Sequence, residues 1–171
     1  MKARDTPFIG LLYAGLALTS KGLRVIEFNA RFGDPETQVL LPRLKTPLAS
    51  LLYKAATGAL AGHPPLEWST DAAVTVVLAS EGYPASPRLG DPITGVDTVL
   101  GADVYHAGTA LKDEVLHSSG GRVLAVTAVA EDLTAARLKA YEGISKISLR
   151  GSHYRRDIAL SASTSTKVGE N

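Results

Sequence analysis

The sequence predicts an α+β fold: antiparallel strands with helices first, then a small β-rich domain. Three observations carry this. Two apolar runs, Phe8–Leu18 and Leu23–Phe32, flank a turn signal at Ser20-Lys21-Gly22 and read as a hairpin. Beyond Phe32 the apolar period lengthens to that of a helix. From Ala72 onward β-branched runs return, with one further helical pattern behind them.

The elements follow in order. The Phe8–Leu18 run is apolar enough to predict a buried strand. Asp34 suits an N-cap and Pro35 the first helical position, which predicts a helix from Pro35 to Leu44 with Glu36 in its first turn. Thr46-Pro47 repeats the signal. Leu48, Leu51, Leu52, Ala55, Ala56 and Ala59 then form an apolar stripe expected to face inward, ended by Gly62 and Pro64-Pro65. Gly62–Thr70, with its prolines and the only Trp, is the boundary between two domains, 1–66 and 67–171.

In the second domain Ala72–Ala79 predicts a buried strand and Glu81–Pro92 a loop. Ala102–Ala107 and Glu114–His117 are short strand candidates, and Arg122–Val129 is a clear one after the turn Ser118–Gly121. Asp132 caps a helix with Leu133, Ala136, Ala140, Tyr141 and Ile144 on one face. Arg155–Ile158 is a candidate final strand, with Arg155-Arg156-Asp157 holding a local ion pair. Residues 161–171, rich in Ser and Thr, are expected to be a loose tail.

Composition excludes several functions. The 171 residues carry a net charge of +1, too little to hold nucleic acid or an anionic membrane by bulk charge. No cysteine is present, which excludes disulfides, thiol catalysis, Fe–S clusters and thiolate zinc sites, and fits a reducing compartment. Met1-Lys2-Ala3-Arg4 and the apolar run behind it imitate a secretory signal. Yet Thr6–Ser20 is 15 residues long, short of a membrane span, and Asp5, Pro7, Gly10 and Gly15 spoil a hydrophobic helix. No G-x-G-x-x-G or P-loop occurs.

The chemistry concentrates in Glu27-Phe28-Asn29-Ala30-Arg31-Phe32-Gly33-Asp34-Pro35-Glu36-Thr37-Gln38. On a strand, Glu27, Asn29 and Arg31 share one face. Carboxylate and amide oxygens are hard donors that suit Mg²⁺, which shares its other positions with phosphates and water. The Arg31 fork can take a phosphate or carboxylate. The same spacing also fits a solvated stripe on a half-exposed sheet. His106 reads either as a substrate contact or as a satisfied histidine beside a tight turn. Gly120-Gly121-Arg122 reads as a phosphate nest or as a two-glycine hairpin turn.

The Glu27–Gln38 run resembles the signature of the phosphoribosylamine–glycine ligase family, the glycinamide ribonucleotide synthetases of the ATP-grasp superfamily. Further matches keep the family's order: Phe8–Leu16, Gly82-Tyr83-Pro84, Gly90-Asp91, His106-Ala107-Gly108-Thr109, Gly120–Leu124 and Arg156-Asp157-Ile158. The resemblance implies the C-terminal part of an ATP-grasp fold in 1–66 and the family's small β-rich C-terminal domain in 67–171. It also implies a cytoplasmic enzyme of purine biosynthesis that joins glycine to 5-phosphoribosylamine. ATP is spent through a glycyl phosphate, with Mg²⁺ or Mn²⁺ as cofactor.

Carried over residue by residue, Glu27 and Asn29 are the metal ligands and Arg31 steadies the transferring phosphoryl. Asp34, Glu36, Gly121 and Arg122 contact substrate. Phe8–Leu18 offers no acid, so the further acidic ligand of many ATP-grasp sites has no counterpart there. The flexible phosphate-covering loop and adenine pocket of the family are not matched either. The chain is therefore expected to need the N-terminal and ATP-binding regions of the same enzyme and to be inactive by itself. The alternative is a non-catalytic β-rich binding module of the same ancestry.

Overall fold

The computed structural model describes residues 2–164. The chain groups into two compact units. One holds the residues up to Thr37 together with Leu44–Ser69, and the other holds Gln38–Arg43 and the described chain from Thr70 on.

In the first unit, strands β1 (Tyr13–Thr19) and β2 (Gly22–Asn29) pair antiparallel around Ser20-Lys21. Gly22 takes the positive φ that closes the turn. The hairpin is as the sequence predicts, but Phe8–Leu12 lies outside it. Gly10, at φ +147°, sits in that stretch. Nor is the hairpin buried: Leu18 is 87% exposed, Ile26 70% and Phe28 61%. Apolarity predicts burial only where another layer covers the face, and only Gly15 in the ribbon is buried.

The predicted helix from Pro35 is shorter than expected. Residues 34–36 form a turn, α1 runs only from Thr37 to Leu40, and a 3₁₀ turn covers Leu41–Arg43. Asp34 therefore does not stand at the N-cap. Instead the Thr37 N–H and hydroxyl both donate to the Gly33 carbonyl, at 3.1 and 2.6 Å. Helix α2 (Leu48–Ala56) follows Pro47, which supplies no side-chain cap. The Thr46 hydroxyl is used elsewhere: it accepts from the Glu67 N–H at 2.8 Å, beside the Leu44–Trp68 bridge. Leu48, Leu51 and Ala55 are half-buried, but Leu52, Ala56 and Ala59 are exposed, so the expected inward stripe is only partly covered.

The second unit carries the core. A three-stranded antiparallel sheet has the order β3 (Ala72–Ala79), β8 (Arg122–Ala130), β5 (Asp103–His106). Opposite residues in an antiparallel pair share a face, so Val74, Val76 and Leu78 line up with Ala128, Val126 and Leu124. Helix α3 (Leu133–Ser145) covers that face with Ala136, Ala140 and Ile144. Burying Ile144 alone is worth about 1.5–3 kcal/mol. Gly143 lets the helix come close, since a Cβ there would lie 3.0 Å from Val126 Cγ1. Asp132 caps α3 as the sequence predicts, its Oδ1 accepting from the Ala135 N–H at 2.8 Å.

Two small ladders complete the unit: β4 (Ile93–Thr94) with β9 (Ser148–Leu149), and β6 (Thr109–Lys112) with β7 (Val115–Ser118). Arg155–Ile158 is not a strand. It is held to α3 by side chains: Arg137 donates to the carbonyls of Ile158 and Arg156 at 3.0 and 2.8 Å, and the Tyr141 hydroxyl to that of Arg155 at 2.6 Å. The expected ion pair is present, Arg155 Nη2 to Asp157 Oδ2 at 2.6 Å. Helix α4 (Leu160–Thr164) takes in the start of the expected tail, and residues 165–171 lie outside the described chain. Among the described residues, no helix is long and apolar enough to cross a membrane.

Candidate functional site

The site is built on the end of the hairpin. Register places Tyr13 opposite Asn29 and Gly15 opposite Glu27, so these four residues share one face. A bulge between Gly15 and Leu16 leaves Ile26 as the extra residue of β2, resetting the alternation behind Glu27. Gly15 has a direct role: a Cβ on it would lie 3.2 Å from Glu27 Cγ. The Glu27 side chain thus lies across a residue that has none.

Glu27 and Asn29 meet, as the period-2 spacing predicts. Asn29 Nδ2 donates to Glu27 Oε1 at 2.9 Å. Asn29 Oδ1 and Glu27 Oε2 are the oxygens outside that contact, and both are hard donors of the kind Mg²⁺ takes. The pair therefore fits part of a divalent-cation site. Among the described residues no group of three or more His, Cys, Asp or Glu is placed to hold a metal.

Arg31 lies two residues beyond the strand, which ends at Asn29. Its Nη1 donates to the Phe32 carbonyl at 2.7 Å, and the guanidinium is exposed. It remains near the cluster, close enough for its charge to act on the Tyr13 phenol.

Glu36 is the residue the turn delivers. Its Oε1 accepts the Tyr13 hydroxyl at 3.0 Å, and Oε2 lies where a Cβ on Gly33 would sit. The bond to Glu36 raises the Tyr13 pKa above the usual phenol value, with burial and the negative charges of Glu36 and Glu27 adding to the rise. Asp34 is exposed in the same turn. Tyr13 is the residue that sequence reasoning missed. It stands in the Phe8–Leu16 match, but its role depends on strand register, which composition does not show.

Gly121 and Arg122 belong to the second unit. The two-glycine hairpin is not formed, because β7 pairs with β6 while β8 pairs with β3 and β5. The segment instead crosses between sheets. Ser80 secures it, its hydroxyl donating to the Gly120 carbonyl at 2.6 Å and its N–H to the Gly121 carbonyl at 2.9 Å. A Cβ on Gly121 would collide with the Tyr83 ring. Arg122 opens β8 with its side chain exposed. His106 is satisfied beside its turn, Nδ1 lying 3.0 Å from Thr109 Oγ1. The loop bearing Gly90-Asp91 is tied down by Arg88 Nε, which donates to the buried Asp91 at 2.8 Å.

Comparison with known proteins gives these groups a context. Residues 73–161 match the family described as Phosphoribosylglycinamide synthetase, C domain, and residues 1–37 match its ATP-grasp (A) domain. Phosphoribosylamine–glycine ligase of Streptomyces coelicolor is 62% identical over 167 residues, covering 95% of this chain and 40% of that protein. The ligase of Leifsonia xyli is 56% identical over 168 residues, with the same two coverages. The crystal structure of the ligase from Thermotoga maritima superposes with a TM-score of 0.72 at 38% identity, over 86% of this chain and 36% of that one. The chain thus spans about 40% of the length of the curated relatives it matches. With the C-domain match covering more than half of its residues, the chain belongs to the phosphoribosylglycinamide synthetase family.

Proposed function

We propose that the chain contributes one wall of the active site of a phosphoribosylamine–glycine ligase. That enzyme would convert ATP, glycine and 5-phosphoribosylamine to glycinamide ribonucleotide, ADP and phosphate, in the cytoplasm. In this reading residues 1–66 are the closing part of the ATP-grasp domain and 67–171 the C-terminal domain. The matches at 1–37 and 73–161 support that division.

The observation that carries the proposal is the contact between Asn29 and Glu27 at the strand's end, with Glu36 and Arg31 beside it. Glu27 and Asn29 would hold Mg²⁺ or Mn²⁺, which neutralises phosphate charge when bound. Arg31 swings from the Phe32 carbonyl to steady the phosphoryl group as it passes to the glycine carboxylate. Phosphoryl transfer needs positioning and charge stabilisation more than covalent help, and these side chains supply such groups. Asp34 and Glu36 present carboxylates to the amine-bearing substrates. Gly121 and Arg122, in the second unit, would contact substrate as the family resemblance implies.

The test is Glu27→Gln with Asn29→Ala in the full-length enzyme carrying this chain. Mg²⁺-dependent ADP release is expected to vanish while the far-ultraviolet circular dichroism stays unchanged. Near-normal turnover in the double variant would overturn the metal assignment. The chain alone is expected to release no ADP with glycine and ribosylamine present.

A further inference from the structure

We propose that Tyr13 is a positioning residue that fixes the carboxylate of Glu36 for substrate. This rests on the reading of Glu36 as a substrate-facing group. Tyr13 lies on β1 and Glu36 in the turn beyond β2, 23 residues apart, yet the phenol donates directly to Oε1 at 3.0 Å. Both side chains are half-buried. The other carboxylate oxygen rests against Gly33, in space that any side chain there would fill. One oxygen is thus held by a neutral donor, and the other lies in space that Gly33 leaves open for lack of a side chain.

A glutamate has three side-chain torsions, and without such restraint its carboxylate samples many positions. A carboxylate already in place meets an amine or hydroxyl donor without first being ordered, which strengthens binding. Tyr13 also shares its face with Glu27 and Asn29, so one phenol sets the substrate-facing carboxylate relative to the metal pair. Tyr13 itself touches neither nucleotide nor metal in this scheme.

The experiment compares Tyr13→Phe, Glu36→Gln and the double variant in the full-length enzyme. Tyr13→Phe is expected to raise KM for glycine or 5-phosphoribosylamine about tenfold, the size of one lost hydrogen bond to a charged group. KM for Mg-ATP and kcat should stay within about twofold. The double variant should bind substrate no worse than Glu36→Gln alone, because Tyr13 acts through Glu36. A crystal structure of the Tyr13→Phe enzyme should show the Glu36 carboxylate withdrawn from Gly33. Unchanged KM values, a uniform loss in kcat and every KM with a lowered melting temperature, or additive effects in the double variant would overturn the proposal. If Glu27→Gln/Asn29→Ala retains full turnover, the metal assignment falls, while the position of Glu36 in the Tyr13→Phe crystal still decides whether Tyr13 fixes it.

Discussion

The Thr127 hydroxyl donates to the Thr75 hydroxyl at 2.7 Å, directly across the β3–β8 ladder. Thr127 is only 1% exposed, so its hydroxyl has no water to turn to if the partner is lost.

Replacing Thr127 by Val, its near-isostere, should cost about 1 kcal/mol in denaturant unfolding, and Thr75→Val a similar amount. The double variant should cost clearly less than the two single effects together, since neither strand then carries a stranded hydroxyl. Additive losses would mean that the two hydroxyls do not depend on each other.

A second prediction concerns Gly108, where the chain leaving β5 crosses the segment leading into β8. A Cβ there would lie 2.6 Å from Gly120 Cα and 2.7 Å from the Arg122 carbonyl oxygen. Both obstacles are backbone, so no side chain can step aside. Gly108→Ala should destabilise the second unit by about 1–3 kcal/mol, measured as a fall in the urea midpoint at unchanged slope.

A third prediction is a pH effect. The hydrogen bond from Arg155 holds the Asp157 carboxyl below its ordinary pKa. A carboxyl depressed in the folded state adds stability above its unfolded pKa. That stability is lost as pH falls through the folded value. The pair is solvent-exposed, so its effect on stability is small. The titration itself is the better readout. Arg155→Ala should move the Asp157 midpoint upward in carboxyl ¹³C NMR, and an unmoved midpoint would show that Arg155 is not the cause.

Elements whose signals are local were legible in the sequence. The β-branched runs at Ala72–Ala79 and Arg122–Val129 lie at strands, and Asp132 caps its helix. The β6–β7 hairpin was half seen, because its turn is Asp113-Glu114, both at positive φ and with no glycine to announce it. The Gly120-Gly121 turn was misread for the opposite reason. The glycines serve close packing against Gly108 and Tyr83 rather than strand reversal.

The candidate site divides along the same line. Glu27 and Asn29 were legible because alternation alone sets their face. Arg31 lies two residues past the end of the strand, so alternation alone does not set its face, and nothing in Ala30-Arg31-Phe32 marks that stop. Tyr13 was invisible, since its meeting with Glu36 needs both the register of the hairpin and the path of the turn beyond it.

The contrast between the exposed ribbon β1–β2 and the enclosed strand β8 has a kinetic side. Amides of β8, shut between two strands and beneath a helix, exchange with solvent deuterium only when the whole second unit opens. Amides of β1 and β2, with almost no buried neighbours, exchange by local fraying at far lower energy. In this chain the strand that carries Glu27 and Asn29 is therefore expected to open more readily than β8. Whatever ligand settles on that pair should register first as slowed deuterium uptake along β2.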